Sequence, residues 1–467
     1  MTAARRLGSA LLAGALLAAA AVACTPDDRA GSTFDTTVDP KDCGLGALEA
    51  AKGPVTITFW HTLLRSNAEW LEAATKEFNA SQDQVRVRLA QQPSYQDAFT
   101  KYKAGLASGD LPDLVQMEET TVQQMIDSRS TVPAQACIDA SRYDVSTFVP
   151  RGLEYYASGG VQRAMPWAIS NPILLYDRSK LAAAGFDHPP TTFAEVRTMS
   201  KAIVDQKIAE HGISLKVAPY IYEFLLAKSG GEYVNHGNGR ESRADEANLD
   251  SDTSLSVFRW WKGMVDDGLA LNTGADPNSI DHLLAIATGG AAMTIEASSA
   301  IGPIEAVLSS GDFGDLQLAA APLPSLHGGG GVPVGDGALW IPKASSPAKR
   351  AAAWRYAQFL LAPEQQAGLA VAGGYVPVRT DATEVPSLVA HWKAHPAYRV
   401  GYDQLVDGPV DNATVGSLIG EYQAVRDATR DALIRMLRYH DDPAEAARNA
   451  KAEADIAMQE YNDRVGG

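Results

Sequence analysis

The sequence predicts an α/β protein large enough for two or three domains, or for one split pair of lobes. Three observations carry that prediction. From Val55 to Met117, β-branched or aromatic runs alternate with segments whose apolar residues recur at helical spacing, the pattern of a parallel sheet. From Met165 new units of the same kind begin. The 467 residues, 46% hydrophobic and 21% charged, are enough to bury a substantial core. No short period repeats, which excludes collagen-like and low-complexity classes. The formal charge of −16 argues against a nucleic-acid groove or a polybasic membrane surface.

The chain opens with Arg5 and Arg6, then an apolar and small-residue stretch from Leu7 to Ala23. Ala21-Val22-Ala23-Cys24 gives way to the polar Thr25-Pro26-Asp27-Asp28. A charged start, an apolar run and a small-residue cleavage site make a secretory signal over residues 1–23. Its 17-residue apolar run is short for crossing ~30 Å of hydrocarbon. The cysteine directly after the small residues resembles the bacterial lipobox, which implies that Cys24 becomes the acylated first residue of the mature chain. Loss of the two arginines takes the charge from −16 to −18. Residues 24–43, rich in Asp, Thr, Gly and Pro toward their start, are expected to be a flexible tether. In an exported chain the two remaining cysteines, Cys43 and Cys137, are candidates for a disulfide pinning this extension to the first lobe, with free buried thiols as the alternative.

Val55 to Trp60 (VTITFW) follows Gly53-Pro54 and reads as a buried strand. Trp70, Leu71, Ala74 and Phe78 share one face of a helix over Asn67 to Asn79. Val85 to Leu89 alternates at period two, and Phe99, Tyr102 and Leu106 mark a second helix over Tyr95 to Ser108. Asp113 to Met117 is a third strand ending at Glu118-Glu119. The units resume with an extended stretch, Met165 to Tyr176, and a helix over Ser179 to Ala184. Thr191-Thr192 caps a helix running through Val204, with Glu195 in its acidic first turn. Phe258, Trp261 and Met264 mark a helix over Leu255 to Val265, on which one of Trp260 and Trp261 is expected to face core and the other solvent. Ala291 to Ile295 is a short strand and Ala348 to Leu361 a helix. Ala413 to Tyr439 and Pro443 to Tyr461 are expected to be long surface helices.

Several local motifs accompany these elements in order. Phe59-Trp60-His61 closes the first strand, and Asp110-Leu111-Pro112-Asp113-Leu114 precedes the third. Leu175-Tyr176-Asp177, Ala184-Gly185-Phe186 and Pro189-Pro190-Thr191-Thr192 follow, then Ala292-Met293-Thr294-Ile295, Phe359-Leu360-Leu361-Ala362-Pro363-Glu364 and Gly373-Gly374-Tyr375-Val376-Pro377-Val378. Together they resemble the extracellular solute-binding proteins of bacterial ABC importers, the class that contains maltose-binding protein. The resemblance implies the two-lobed periplasmic-binding-protein fold, α/β throughout, with a hinge and an interlobe cleft. It places lobe one at 44–166 plus 339–375 and lobe two at 170–332 plus 378–467. It implies ligand capture by hinge closure, delivery to a permease pair driven by a cytoplasmic ATPase, and a monomer lipid-anchored at the extracytoplasmic face of the cell membrane. Within the class, Phe59-Trp60-His61, Ala297-Ser298-Ser299 and Gly335-Asp336-Gly337-Ala338-Leu339-Trp340 resemble the branch that binds glycerol-3-phosphate and glycerophosphodiesters. That branch carries an arginine for the phosphate before its last long helices. Here Asp407 to Glu421 (DGPVDNATVGSLIGE) holds no Arg or Lys, so a phosphate would lose its bidentate partner. Neutral sugars or polyols are therefore the first expectation and glycerophosphodiesters the second.

Sugar binding needs aromatic plates and planar hydrogen-bonding groups in a cleft. Tyr95 opens the second helix, and Glu118 and Glu119 end the third strand. Ser170 and Asn171 stand where the chain passes to the second lobe, and Tyr220 and Tyr222 where the branch has stacking tryptophans. Ser299, Gly335, Asp336 and Tyr375 match cleft positions of the branch, and Asp411 occupies the neighbourhood of its arginine. No cofactor or metal is implied. Enzyme motifs fail: Gly-x-Ser-x-Gly is absent, Ser346-Pro347-Ala348-Lys349 has no Lys-Thr-Gly, and His391 and His395 lack the His-Glu-x-x-His pattern. A secreted glycoside hydrolase, which needs only two positioned carboxylates, is the rival from another class.

Overall fold

The protein is described by a computed structural model covering residues 35–277, 279–310 and 316–466. The signal segment and Cys24 lie outside them. β1 (Val55–His61) is central in the first sheet because its Ile57, Phe59 and Trp60 are buried on both faces. Helix α1 (Arg65–Ser81) crosses over to β2 (Val85–Gln91), which pairs parallel with β1 in the register Val55 to Val85. Val85 and Val87 point inward while Arg88 is exposed, as an edge strand requires. Ser94 caps α2 (Tyr95–Ser108) by accepting from the Asp97 N–H, and Gly109, at φ +81°, ends it in the left-handed region. β3 (Leu114–Glu118) then returns parallel on the other side of β1, and β4 (Thr131–Val132) and β5 (Met165–Ser170) complete the chain's first pass. Phe59, Phe78, Trp167 and Tyr356 form the aromatic core of this sheet, with the Tyr356 hydroxyl 2.6 Å from Thr75 Oγ1.

The stretch expected to be extended is two strands broken at Asn171. β5 stays in the first sheet, and β6 (Pro172–Asp177) starts the second. A capping box of Thr192 and Glu195 opens the helix Phe193–Asp205. β7 (His211–Leu215), α3 (Pro219–Lys228), β8 (Ala270–Asn272), α4 (Asp281–Ala287), β9 (Ala291–Ala297), α5 (Ile301–Ser310) and β10 (Leu318–Ala321) follow. The second sheet runs β8-β7-β9-β6-β10, with β8, β7 and β9 mutually parallel and β6 antiparallel to β9 and β10. Trp261 is buried in this half, while Trp260 stacks on Phe193 at 4.3 Å.

The chain returns to the first sheet at β11 (Gly335–Pro342), which runs antiparallel to β5, β3 and β4. α6 (Pro363–Gly373) packs on α1. The C-terminal pair differs from expectation at its start: residues 413–421 are not helical, and α7 (Tyr422–Arg438) begins nine residues later than Ala413. Glycine is the reason. Gly416 sits at φ +84° with its α-carbon against the Tyr155 ring, where a helix would neither twist nor fit. α8 (Pro443–Gly466) lies along α7.

Cys43 and Cys137 are both fully buried and joined by a disulfide that links the turn Pro40–Cys43 to the helix Ala134–Ser141, 94 residues on. Closing a loop of that size restricts the unfolded chain, so Cys43→Ser with Cys137→Ser should cost about 2–4 kcal/mol. Urea unfolding with and without reductant reads this directly, and an unchanged midpoint in both would deny the bridge a stabilising role.

Candidate functional site

Two strands end at one cavity of about 640 Å³, within the range of small-molecule sites. β3 ends in Glu118 and passes into the tight turn Glu119–Thr121. β9 ends in Glu296-Ala297 and passes into a second such turn, Ser298–Ala300. A side chain at the carboxyl end of a strand, just before a turn, leaves the packed layer and projects into the crevice beyond the sheet. Glu118, Glu119, Glu296 and Ser299 all line the cavity.

β11 supplies the centre. Gly335 pairs with Ser170, and the register slips between Asp336 and Ala338. Asp336 sits at φ +67°, in the left-handed region. A bulge of this kind re-aims one side chain, and here it directs the Asp336 carboxylate into the cavity. Its Oδ2 accepts hydrogen bonds from Ser170 Oγ, at the end of the first sheet's β5, and from Ser299 Oγ at 3.2 Å, beyond the second sheet's β9. Burial pushes its pKa up to about 6, helped by the Glu118 charge and opposed by the two serine hydroxyls. Gly337 leaves room for a side-chain pair: a Cβ there would lie 2.7 Å from Gln116 Nε2 and 3.0 Å from the Tyr95 hydroxyl, which are hydrogen-bonded to each other at 2.8 Å and would have to shift.

The other carboxylates are held differently. Glu296 accepts from His282 Nε2 at 2.8 Å, from the Tyr220 hydroxyl at 2.7 Å and from the Ala297 N–H at 2.7 Å. Burial opposes ionisation, but these hydrogen bonds and His282 hold its pKa below the usual range. Glu119 is 4% exposed; one oxygen accepts from Arg426 Nη2 at 2.9 Å and the other, Oε2, has no hydrogen-bond partner. Burial and the neighbouring Glu118 raise its pKa against the pull of Arg426. Arg426 Nε and Nη2 bind both oxygens of Glu223, at 2.7 and 2.9 Å, and Nη1 lies 3.8 Å from Glu118. Lys216 Nζ donates to the carbonyls of Pro277 and Ser279 at 2.6 and 3.1 Å, and burial lowers its pKa.

Of the expected ligand-binding residues, the cavity brings together Tyr95, Glu118, Glu119, Ser170, Tyr220, Ser299, Gly335, Asp336 and Tyr375. It leaves out three. Asn171 is fully buried, donating to the Gly401 carbonyl and accepting from Gln404 Nε2. Tyr222 stacks on Phe258 at 4.3 Å and bonds Ser254, inside the core. Asp411 closes its own turn by accepting from the Thr414 N–H. Tyr220 and Tyr222 sit two positions apart on α3, about 200° around the axis, so only one of them can face the cleft. Phe224, four residues after Tyr220, shares its face and lines the cavity. Arg426 is the larger omission. No cation stands within 407–421, but α7 carries one five residues later, on the buried face with Tyr422, Val425 and Thr429. A charge interrupting an apolar helical stripe was the available signal.

Two expectations test this geometry. Asp336 has a folded pKa of about 6 and an unfolded value near ~3.9, so the folded chain binds the extra proton between those values. Stability from this group is complete below ~pH 4 and lost as pH rises through ~6. Asp336→Asn should therefore be the more stable protein at pH 7, by roughly 1–3 kcal/mol, and the gap should close by ~pH 4. Melting curves across that window decide it, and a pH-independent gap would refute the assignment. Arg426→Met leaves Glu119 and Glu223 buried without their counter-charge, and should cost about 3–5 kcal/mol. Adding Glu223→Gln should recover part of that loss in a double-mutant cycle.

The family model for bacterial extracellular solute-binding proteins matches residues 73–400. The sn-glycerol-3-phosphate-binding periplasmic protein UgpB of Rhizobium meliloti (strain 1021) is 25% identical, over 89% of this chain and 95% of that protein. The GacH receptor of Streptomyces glaucescens GLA.O, solved unliganded and with acarbose, shares the fold with a TM-score of 0.71 at 23% identity, over 87% of this chain and 99% of that one. UgpB from Mycobacterium tuberculosis, solved with glycerophosphocholine, does so with a TM-score of 0.71 at 19% identity, over 88% and 99%. The chain belongs to the bacterial extracellular solute-binding protein family, with the two-lobed fold of its structural neighbours.

Proposed function

We propose that the protein captures a hydroxyl-rich solute, a sugar or polyol, between its two lobes and delivers it to the permease of an ABC importer. One observation carries this reading. Hydrogen-bonding groups from both sheets converge on one cavity whose walls include Tyr95, Tyr220, Phe224 and Tyr375. Ser170 and Asp336 come from the first sheet, Glu296 and Ser299 from the end of the second. Aromatic faces suit the C–H surfaces of a sugar ring, and carboxylates and hydroxyls suit its hydroxyl groups. A ligand that touches both halves shifts the population toward the closed arrangement. Hinge closure of periplasmic binding proteins is a known form of this device.

The lobes in this reading comprise 44–166 plus 339–375 and 170–332 plus 378–467, and acylated Cys24 keeps the protein at the extracytoplasmic face of the membrane. Binding rather than catalysis is the role, in keeping with the relatives' names. Those names also favour a second reading, a glycerol-3-phosphate or glycerophosphodiester ligand. Against it stands the chemistry of the cations. Arg426 already serves Glu223 and Glu119, and Lys216 already serves two carbonyls, so a phosphate reaching either of these would have to displace existing partners.

A thermal-shift screen of mono- and disaccharides, polyols, glycerol-3-phosphate and glycerophosphocholine tests both readings. A ligand at a hundredfold excess over its dissociation constant adds ~2.7 kcal/mol of stability. A shift with a sugar or polyol is expected. A shift confined to the two phosphate compounds would favour the second reading. Turnover of a glycan with no binding shift would replace the importer reading by a hydrolase.

A further inference from the structure

We propose that the solute carries a protonated amine: the cleft takes a cationic, hydroxyl-bearing ligand of the amino-sugar or amino-polyol class. This rests on the cavity being the solute site. The charge inventory of the cavity leads there. Four carboxylates line it, Glu118, Glu119, Glu296 and Asp336, with Arg426, Lys216 and Arg65 as the lining Lys and Arg residues among those described. Two of these cations are already committed. Arg426 is held by two oxygens of Glu223 and one of Glu119. Lys216 is turned to the backbone carbonyls of Pro277 and Ser279. Arg65 is exposed. Glu296 has His282.

Asp336 and Glu118 remain. Among the described residues Asp336 has no ion pair; its partners are the neutral hydroxyls of Ser170 and Ser299. Glu118 receives the Thr120 hydroxyl at 2.9 Å and only the 3.8 Å approach of Arg426. Beside them Glu119 Oε2 is buried, on the cavity wall, with no donor. A neutral sugar closing over this site would bury carboxylate charge without a counter-charge, leaving its hydroxyls to offset that cost by hydrogen bonding alone. A phosphate would add like charge. An ammonium group brings three N–H donors and the missing positive charge. The rings of Tyr95, Tyr220 and Tyr375 line the same cavity, and an aromatic face presented to the ligand would favour a cation further. The raised pKa of Asp336 comes first from burial, and the Glu118 charge adds to it in the same direction.

Calorimetric titration of the full mature chain with matched pairs tests this. The pairs are glucosamine against glucose and N-acetylglucosamine, and the β-1,4-linked glucosamine disaccharide against its N,N′-diacetyl form. At least one amine should bind tenfold or more tightly than its uncharged partners. That preference should fall below threefold in Asp336→Asn, and also in Glu118→Gln, while both variants keep a cooperative melting transition. Added salt should erode the amine's affinity and spare the uncharged sugars. Equal or tighter binding of the uncharged partner overturns the inference and leaves the solute-capture reading standing. Binding of glycerol-3-phosphate above every amine does the same. An amine preference unchanged in both variants also overturns it, because these carboxylates would then not be its source. Silence from these pairs and from the whole earlier panel overturns the reading of the cavity as a solute site, and this inference with it.

Discussion

The pairing of Gly335 with Ser170 is the constraint on which the cleft depends. The chain leaves the first sheet after Ser170, builds an entire second sheet, and returns at Gly335 beside the residue it left. The outward and returning crossings are thus neighbours in one antiparallel ladder, so the two halves join through a narrow, hydrogen-bonded strip. Everything central to the site is fixed by that strip. Ser170 is the last residue on the outward side and Asp336 the second on the return. The register slip after Asp336 turns its carboxylate into the gap, and Gly337 leaves room for Tyr95 and Gln116 to meet behind it. A strand without the slip would send the side chain at position 336 to the face that regular alternation dictates.

The second organising element is electrostatic. Arg426 reaches the cavity as a cation already committed, with Glu223 as its bidentate partner and Glu119 across from it. Buried ion clusters of this kind contribute little net stability, yet removing one member is expensive because the rest lose their counter-charge. The cluster therefore acts as a fixed piece of geometry. It holds α7 against the end of β3 and leaves the lining carboxylates as the unspent chemistry of the site. Arg243 does a similar job further out, gripping both oxygens of Asp127, to which the Tyr461 hydroxyl also donates.

How far the sequence revealed this follows from which signals are local. The strands and helices from Val55 to Glu118 were legible because periodicity is a local property, and the residues that end strands inherit their position from it. Ser170, Glu118 and Asp336 could be named that way, together with the family resemblance. What failed turned on the start or rotation of two particular helices, α3 and α7. Tyr222 was grouped with Tyr220 because the beginning of α3 at Pro219 was not seen, and rotation then separates the two. Arg426 was passed over because α7, with its many charges, reads as a surface helix. Its burial comes from contacts with Glu223 and Glu119, some two hundred and three hundred residues earlier. The late start of α7 depends likewise on Tyr155 occupying the space beside Gly416, which no local pattern announces.

These features give selectivity and closure a common origin. At the centre of the cleft, the Ser299 hydroxyl reaches across from the second sheet to the same Asp336 oxygen that Ser170 binds within the first. Hydrogen bonds to charged groups contribute about 1.5–3 kcal/mol each at best, and here they are offset by the cost of burying that carboxylate. The balance is close enough that a ligand can decide it, as a population shift requires. A ligand that matches the charge of Asp336 and Glu118 relieves the burial cost and strengthens the link across the sheets at once. One that does not match must offset that cost through its hydrogen bonds alone. On the proposed reading, discrimination among solutes needs no separate gate: the carboxylates that would choose the ligand would also set whether closure is favourable.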